Sequence, residues 1–225
     1  MNVVLFGATG MVGQGVLREC LRDPGVERVL AVGRTATGKA DPKLRELVRS
    51  DLRNYAGVEA DLSGFGACFF CLGVSAAGMT EAAYRRVTYD LTLAAAEVLV
   101  RLNPGMTFVY VSGAGTDSSE KGRAMWARVK GATENALLRL PFRAAYMLRP
   151  GLIEALHGIE SKTPLYRRIY PFFRPFFPLL RRLFPRHITT TEELGRVMLV
   201  LARRGASKKI LETPDFCGGL DGARL

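Results

Sequence analysis

The sequence is poor in the residues that build metal centres and disulfide frameworks, with only four cysteines and two histidines in 225 residues. Cys68 and Cys71 have the spacing of half a zinc or redox site, but no second cysteine pair accompanies them, and His157 and His187 lack ligand spacing. Residues three apart on a strand also point to opposite faces. We therefore predict no metal site, core packing for the two cysteines, and reduced thiols.

Long apolar runs, low-complexity tracts and clear internal repeats are also missing from the sequence. No apolar run approaches the roughly 20 residues that a membrane helix needs. The opening residues have no basic region, and glycines stand where the apolar stretch of a signal peptide would lie. We therefore expect a soluble, cytoplasmic protein.

Acidic residues are too few to balance the basic ones, since 21 aspartates and glutamates face 32 lysines and arginines, a net charge of +11. Such an excess can serve nucleic acid, an anionic membrane or a polyanionic cofactor. No recognised nucleic-acid motif accompanies the charge, so we predict no nucleic-acid partner. Much of the excess lies in one stretch among prolines and phenylalanines, in the arginines at positions 167, 168, 174, 181, 182 and 186.

Short apolar segments rich in β-branched residues alternate with helical patterns along the chain. We predict strands over residues 2–6, 28–32, 43–49, 68–72, 107–111, 143–148 and 209–211. Helices are predicted over residues 11–22, 80–102, 121–140 and 190–203, the last beginning with a capping box of Thr190 and Glu193. Strands that alternate with helices of this length predict an α/β fold, a Rossmann-type doubly wound parallel sheet, in a single domain over residues 1–225.

Residues 154–188 break this alternation, because prolines at 164, 171, 175, 178 and 185 exclude a long regular helix. We interpret this insert as a small irregular C-terminal substrate cap, with an apolar pocket lined by Phe172, Phe173, Phe176 and Phe177. The rival interpretation is a basic, aromatic surface that touches a membrane. It is not favoured, because the prolines interrupt the amphipathic helix that such a surface normally uses.

The turn between the first strand and the first helix carries Gly7, Gly10 and Gly13. In this context the first glycine permits a tight turn, the second lets backbone amides approach a pyrophosphate, and the third lets the helix pack closely on the strand. The helix N-terminus adds N–H groups and a partial positive charge. The motif predicts a dinucleotide site, in which Thr9, Met11 and Val12 complete the loop.

Arg34 follows the second strand, at the place where an NAD site usually offers an acid to the ribose 2′-hydroxyl. No acid stands there, and the planar guanidinium of an arginine suits a 2′-phosphate. The sequence therefore favours NADP over NAD. Asp51 and Leu52 follow the third strand, where they can meet the adenine edge.

These segments resemble the short-chain dehydrogenase/reductase superfamily, specifically its atypical branch of epimerase-like and regulator-like members. The likeness is strong over residues 1–152 and weak beyond. It implies that Asp51 and Leu52 contact adenine, and that Ser112 ends the fifth strand near the substrate. It also implies that further residues adjoin the cofactor, namely Leu72, Gly73, Pro150 and Leu152.

The resemblance also locates the superfamily's catalytic tyrosine and lysine, which are four residues apart. Lys130 matches the lysine that holds the ribose, but Trp126 occupies the tyrosine position. An indole does not ionise usefully near neutral pH, so Trp126 cannot perform the acid–base step. Ser112 or Thr116 occupies the position that polarises the substrate. Other candidate proton donors are Tyr84, Tyr89, Tyr110, Asp117 and Glu120, and none is a strong replacement.

The leading hypothesis is an NADP(H)-binding, oxidoreductase- or epimerase-like protein that acts on a small carbonyl-bearing or apolar molecule. A second hypothesis is a catalytically weak protein that senses NADP(H) or docks a partner, which the tryptophan at position 126 favours. A peripheral membrane protein is the third. The sequence leaves a homo-oligomer open.

Overall fold

A computed structural model describes residues 1–159 and 187–217 of the chain. Its strands are β1 (Asn2–Phe6), β2 (Arg28–Gly33), β3 (Leu44–Val48), β4 (Ala67–Phe70), β5 (Thr107–Val111), β6 (Ala144–Arg149), β7 (Leu152–Glu154), β8 (Ile188–Thr190) and β9 (Ile210–Glu212). Its α-helices are α1 (Met11–Arg22), α2 (Glu81–Arg85), α3 (Leu91–Leu102), α4 (Met125–Arg139), α5 (Thr191–Arg204) and α6 (Thr213–Phe216).

Seven strands form one sheet in the order β3-β2-β1-β4-β5-β6-β9, and every neighbouring pair is parallel. The chain first builds outward from β1 to β3 and then returns to the other side of β1 with β4. Ligands of doubly wound folds bind at such a reversal, outside the carboxyl ends of the strands. The predicted Rossmann-type fold is confirmed. β7 and β8 form a separate parallel pair.

Side chains on the two faces of the sheet pack into two separate cores. Cys68 lies in the core beneath α3 and α4, whereas Cys71 packs against the core beneath α1 and α5. This arrangement confirms the prediction that the two cysteines serve packing on opposite faces. Burial raises the pKa of both thiols far above the usual range, which keeps them protonated.

The helix predicted over residues 80–102 is interrupted after its first turn. Thr80 is its N-cap and accepts a hydrogen bond from the N–H of Ala83 at 3.3 Å. Residues Arg86–Asp90 then form a single π-helical turn before α3 begins. Such a turn inserts one residue into the helical repeat, which period counting along the sequence does not detect.

The predicted helix over residues 121–140 begins four residues late, at Met125. Asp117 holds the preceding segment as a loop, because its carboxylate accepts hydrogen bonds from the N–H groups of Ser119 and Gly122. Gly131 lets this loop cross α4 closely, since a Cβ there would lie 1.7 Å from the carbonyl oxygen of Asp117. The loop thereby brings residues 112–118 over the carboxyl edge of the sheet.

Thr190 caps α5 as predicted, accepting a hydrogen bond from the N–H of Glu193 at 3.0 Å. The second hydrogen bond of the predicted capping box, from the backbone N–H of Thr190 to the Glu193 side chain, does not form. The Glu193 carboxylate accepts a hydrogen bond from the hydroxyl of Thr189 instead. Five strands differ from the predicted bounds by one or two residues at an end. β2 ends one residue late, β3 is one residue shorter at each end, and β6 and β9 are shifted by one residue. β4 begins one residue early and ends two residues early, and β9 is an edge strand as expected.

Most of the predicted cap, with its phenylalanines and arginines, lies outside the described residues. Within the described ranges, no helix combines the length and the apolar character that crossing a bilayer requires. The same ranges contain no cluster of three or more histidine, cysteine or acidic side chains suited to a metal ion.

Candidate cofactor and substrate site

The loop between β1 and α1 is built so tightly that two of its glycines cannot carry a side chain. Gly7 has φ +79°, and a Cβ there would lie 2.8 Å from the backbone of Cys71 and Leu72. A Cβ on Gly13 would lie 2.0 Å from the carbonyl oxygen of Gly7. These two glycines set the close packing of strand, loop and helix that the sequence predicts.

Gly10 has a different role, because a Cβ there would touch only the Gly7 oxygen, at 3.4 Å. It is the N-cap of α1, makes no side-chain cap, and no acidic residue follows in the first turn, which includes Met11 and Val12. The space before the helix therefore presents backbone N–H groups and the positive end of the helix dipole. This chemistry suits a pyrophosphate.

A cavity of about 400 Å³ opens beside this loop, between the ends of β2 and β3. Its walls are formed by residues 7–9 and 31–35 together with Thr37, Glu46, Val48, Leu52 and Leu72. Arg34 is exposed on this wall, as the 2′-phosphate hypothesis requires. Thr9 also faces the cavity, and its carbonyl oxygen accepts a hydrogen bond from the Gln14 side chain at 3.2 Å.

Glu46 is a residue of this cavity that sequence reasoning missed. Its register opposite Ala31 places it beside the end of β2, and its Oε1 accepts a hydrogen bond from the N–H of Thr37 at 2.6 Å. Only the pairing of β2 with β3 brings it there. A strand pattern gives which face a residue occupies, but not which loop lies next to it.

The two predicted adenine contacts differ in placement. Leu52 is buried and lines the cavity, but Asp51 is exposed and is not among the lining residues. The carboxylate of Asp51 accepts hydrogen bonds from the backbone N–H and the side chain of Arg53, and both lower its pKa. Leu72 lines the cavity, and Gly73 faces open space.

Lys130 lies at the other end of the site, on α4. It is half-buried, and its Nζ donates a hydrogen bond to the carbonyl oxygen of Ser112. Burial lowers the pKa of Lys130 to about 8, a shift that the nearby Glu134 carboxylate partly opposes. The ammonium is thus fixed against the end of β5, on the side that the resemblance assigns to the ribose.

Ser112 is buried and its hydroxyl is already bonded within the protein. The Oγ lies 2.5 Å from the Oε1 of Glu134 and 3.1 Å from the carbonyl oxygen of Leu148. A hydroxyl that donates to a buried carboxylate is held in place by a charge-assisted hydrogen bond. Ser112 therefore does not point a free hydroxyl at a substrate in this arrangement.

Glu134 and Arg149 form the centre of this buried network. Glu134 is fully buried, and Arg149 donates to both of its carboxylate oxygens, at 3.1 and 3.2 Å from Nε and at 2.5 Å from a terminal nitrogen. Arg149 also donates to Ser118 at 2.5 Å and to Glu212 at 3.2 Å. The pair ties the ends of β5, β6 and β9 to α4. Sequence reasoning missed it, although Glu134 stands one helical turn after Lys130.

Trp126 lies half-buried one turn before Lys130, and its indole ring packs over Gly115. A Cβ on Gly115 would lie 3.4 Å from the ring, and this glycine has φ +82°. Thr116, the alternative substrate-polarising residue, donates its hydroxyl to the carbonyl oxygen of Gly113 at 2.7 Å. The Thr116 hydroxyl, like that of Ser112, is therefore bonded within the protein, and Trp126 offers no ionisable group.

The remaining candidate proton donors have structural surroundings. Tyr84 and Tyr110 are buried, and burial raises the pKa of each phenol. Tyr89 stacks under the guanidinium of Arg85, 3.9 Å from the ring centre. Asp117 holds its own loop, and Glu120 accepts a hydrogen bond from Asn135 at 2.8 Å.

A second cavity, of about 510 Å³, lies at the carboxyl ends of β6 and β9. Its lining includes Leu152, 47% exposed, and Thr213, whose hydroxyl accepts a hydrogen bond from the N–H of Gly151 at 2.7 Å. The adjacent Pro150 anchors this turn, since its carbonyl oxygen accepts from the N–H of Ala114 at 2.9 Å.

Of the two histidines, His187 lines this second cavity. His157 is instead paired with Glu192, at 2.5 Å.

No profile of a known protein family matches the chain. Curated relatives do match it. A protein of Emericella nidulans named Fmp52, mitochondrial, is 32% identical over 159 residues, which cover 68% of this chain and 66% of the relative. An Fmp52-1 protein of Aspergillus terreus, also named mitochondrial, is 31% identical over 170 residues, covering 73% and 71%. The chain thus aligns with about two thirds of the length of these relatives.

Solved structures share the fold at low sequence identity. A short-chain dehydrogenase family protein of Francisella tularensis superposes with a TM-score of 0.65 at 14% identity, covering 94% of this chain and 96% of its own. A dTDP-glucose 4,6-dehydratase of Streptomyces venezuelae, solved with NAD bound, gives 0.70 at 18% identity, covering 95% and 75%. These likenesses confirm the fold of the short-chain dehydrogenase/reductase superfamily.

The expected cytoplasmic location is wrong by this comparison, because the relatives are named mitochondrial. The expectation depended on reduced cysteines and on the lack of an apolar run, and neither property separates the cytoplasm from a mitochondrial compartment. The glycine loop, the parallel sheet and the matching relatives agree with one another. The chain belongs to the Fmp52 family and has the fold of the atypical short-chain dehydrogenases/reductases.

Proposed function

We propose that this chain binds NADP(H) across the carboxyl edge of its sheet and is an oxidoreductase-type protein for a small molecule. The observation that carries the proposal is the cradle at β1–α1. Gly7 and Gly13 have no room for a Cβ, while Gly10 leaves the helix N-terminus open. Close strand–helix packing together with uncapped N–H groups is the arrangement that pyrophosphate-binding turns of this fold use.

The remaining residues fit the rest of the dinucleotide. Arg34 presents its guanidinium on the cavity at the end of β2, where a 2′-phosphate would be held, and Leu52 and Leu72 offer an apolar wall to adenine. Lys130 would hold the ribose on the nicotinamide side. When bound, the cofactor supplies or accepts a hydride. Structural relatives solved with NAD support the class of cofactor, and Arg34 supports the preference for NADP.

Calorimetric titration with NADPH and NADH tests the binding proposal. We expect the wild type to bind NADPH more tightly than NADH. We expect Arg34→Ala to lower the affinity for NADPH about tenfold and to change the affinity for NADH little, because only NADPH carries the 2′-phosphate. Arg101→Ala, which removes an exposed arginine on α3, is the matched control. If neither nucleotide binds the wild type, the proposed function is rejected. Equal losses of both nucleotides in Arg34→Ala would reject the phosphate contact.

The substrate, on this proposal, enters the second cavity near β6 and β9. Leu152 exposes apolar surface there, which suits a small and largely apolar carbonyl compound. The chain's own groups would position it, and Ser112 and Trp126 would not supply the proton, since the first is bonded to Glu134 and the second does not ionise.

The second candidate function is a cofactor-dependent sensor without turnover. Two observations favour it, namely Trp126 at the tyrosine position and the internal bonding of the Ser112 hydroxyl. Oxidation of NADPH with a panel of aldehydes and ketones separates the two candidates. Turnover by the wild type supports the oxidoreductase. If the wild type binds NADPH without turnover, and Trp126→Tyr gains activity that Trp126→Phe does not, the sensor is supported.

A further inference from the structure

The cavity beside the β1–α1 loop is the one that the proposed function assigns to the adenosine of NADP(H), and we call it the adenosine cavity. Side chains of both charges line it. Arg34 at the end of β2 and Glu46 on β3 line the same space of about 400 Å³. Exposed charges interact across distances up to the Debye length of about 10 Å at 0.1 M salt. A carboxylate on the same cavity wall therefore opposes the anion that Arg34 would bind. Among the described cavity residues, these two are the ones that carry a formal charge.

The position of Glu46 is fixed by the backbone around it. Its strand pairs in parallel with β2, with Glu46 opposite Ala31. Its Oε1 accepts a hydrogen bond from the N–H of Thr37 at 2.6 Å, which ties the loop that follows Arg34 to β3. The carboxylate therefore cannot leave the cavity wall without releasing that loop.

We propose that Glu46 is a specificity-determining residue of the adenosine cavity, which holds the 34–37 loop in place and limits the preference for a 2′-phosphate over a 2′-hydroxyl. This inference rests on the proposed binding of NADP(H). Arg34 attracts the doubly charged phosphate and Glu46 repels it, whereas a neutral 2′-hydroxyl is not repelled by a carboxylate. The ratio of NADPH to NADH affinity then measures the attraction of the phosphate by Arg34 against its repulsion by Glu46.

Two substitutions separate the charge of Glu46 from its hydrogen bond. Glu46→Gln keeps an oxygen that accepts from Thr37 and removes the negative charge. We expect it to raise the ratio of NADPH to NADH affinity about fivefold, an effect that shrinks as salt is added. Glu46→Ala removes both functions. We expect it to weaken both nucleotides, because the freed loop must be ordered when they bind.

Calorimetry on the full chain supplies the measurement, with Glu97→Gln as the control for loss of one exposed carboxylate on α3. An unchanged ratio in Glu46→Gln, with both nucleotides still bound, overturns this inference and leaves the proposed function intact. A lower ratio also overturns it, since the carboxylate would then assist phosphate binding. Absence of nucleotide binding by the wild type rejects the proposed function and this inference together. Circular dichroism confirms that each variant is folded.

Discussion

The two ends of the proposed site differ in whether their polar groups are exposed or bonded to one another. At the adenosine end, Arg34 is exposed and the N-terminus of α1 is left without a side-chain cap, so the polar groups face open space. At the substrate end, Ser112, Glu134 and Arg149 are buried and bond to one another. The first end leaves its polar groups exposed, whereas at the second end the polar groups bond to one another and connect α4 to the sheet.

On the proposed function, this difference separates cofactor binding from catalysis within one fold. The glycine loop needs only backbone N–H groups and space, so it tolerates change elsewhere in the chain. The usual reaction of the superfamily needs an ionisable tyrosine beside the lysine, and Trp126 supplies none. A network such as Glu134–Arg149 keeps Lys130 and the ends of β5 and β6 in position whether or not a proton is transferred.

The largest effect is expected from disrupting the buried ion pair of Glu134 and Arg149 at the substrate end. Glu134→Gln removes the buried counter-charge of Arg149 and leaves only the half-exposed Glu212 carboxylate beside its guanidinium, so we expect a loss of about 3 kcal/mol in the free energy of unfolding. Urea denaturation measures it. Glu81→Gln, which removes a pair with Arg128 in which Glu81 is 50% exposed, should cost about 1 kcal/mol or less. Similar losses in both variants would contradict the structural role of the network.

The adenosine end is tested by adding a side-chain carbon to the tightly packed glycine loop between β1 and α1. Gly13→Ala places a Cβ 2.0 Å from the Gly7 oxygen, so strand and helix must separate. We expect roughly 1–3 kcal/mol of destabilisation and loss of measurable NADPH binding. Gly105→Ala is the control, because open space surrounds that position. If Gly13→Ala bound NADPH as the wild type does, the close packing of the loop would not matter for the site.

The smallest effect is expected from the protonation of Lys130. Because its pKa is about 8, we expect NADPH affinity to fall a few-fold as the pH rises through 8 and the ammonium is lost. The contribution of Lys130 to the free energy of unfolding should instead increase as the pH rises. Between pH 8 and 10.5, the value of an exposed lysine, the unfolded chain binds more protons, so this group's contribution to stability rises with pH.

Calorimetry and thermal unfolding across this pH range test both directions. Lys130→Arg keeps its charge and should bind NADPH without this pH dependence. A wild-type affinity that is flat through pH 8 would contradict the assignment of Lys130 to the cofactor.

Most of the fold was predictable because its signals are local. The strand at 2–6, the helix at 11–22 and the strand at 107–111 have the predicted bounds. The π-helical turn at Arg86–Asp90 and the late start of α4 were missed, because each depends on contacts between segments rather than on periodicity.

The candidate site divides in the same way. The positions of the glycine loop, Arg34 and Lys130 were predictable, since each stands at a fixed distance from a strand or helix end. Their roles toward a cofactor stay predictions. Glu46 and Glu134 were not, because only the register of β3 against β2 and the burial of α4 against β5 and β6 reveal their partners.

By itself the sequence determined the order of strands and helices, the glycine turn and the tryptophan four residues before Lys130, because these are properties of neighbouring residues. Only the tertiary structure decided that the Ser112 hydroxyl is bonded to Glu134, and that Glu46 shares a cavity with Arg34. Those pairs join residues 22 and 12 positions apart in the chain. Packing, not sequence spacing, sets which charged and polar groups meet across such separations.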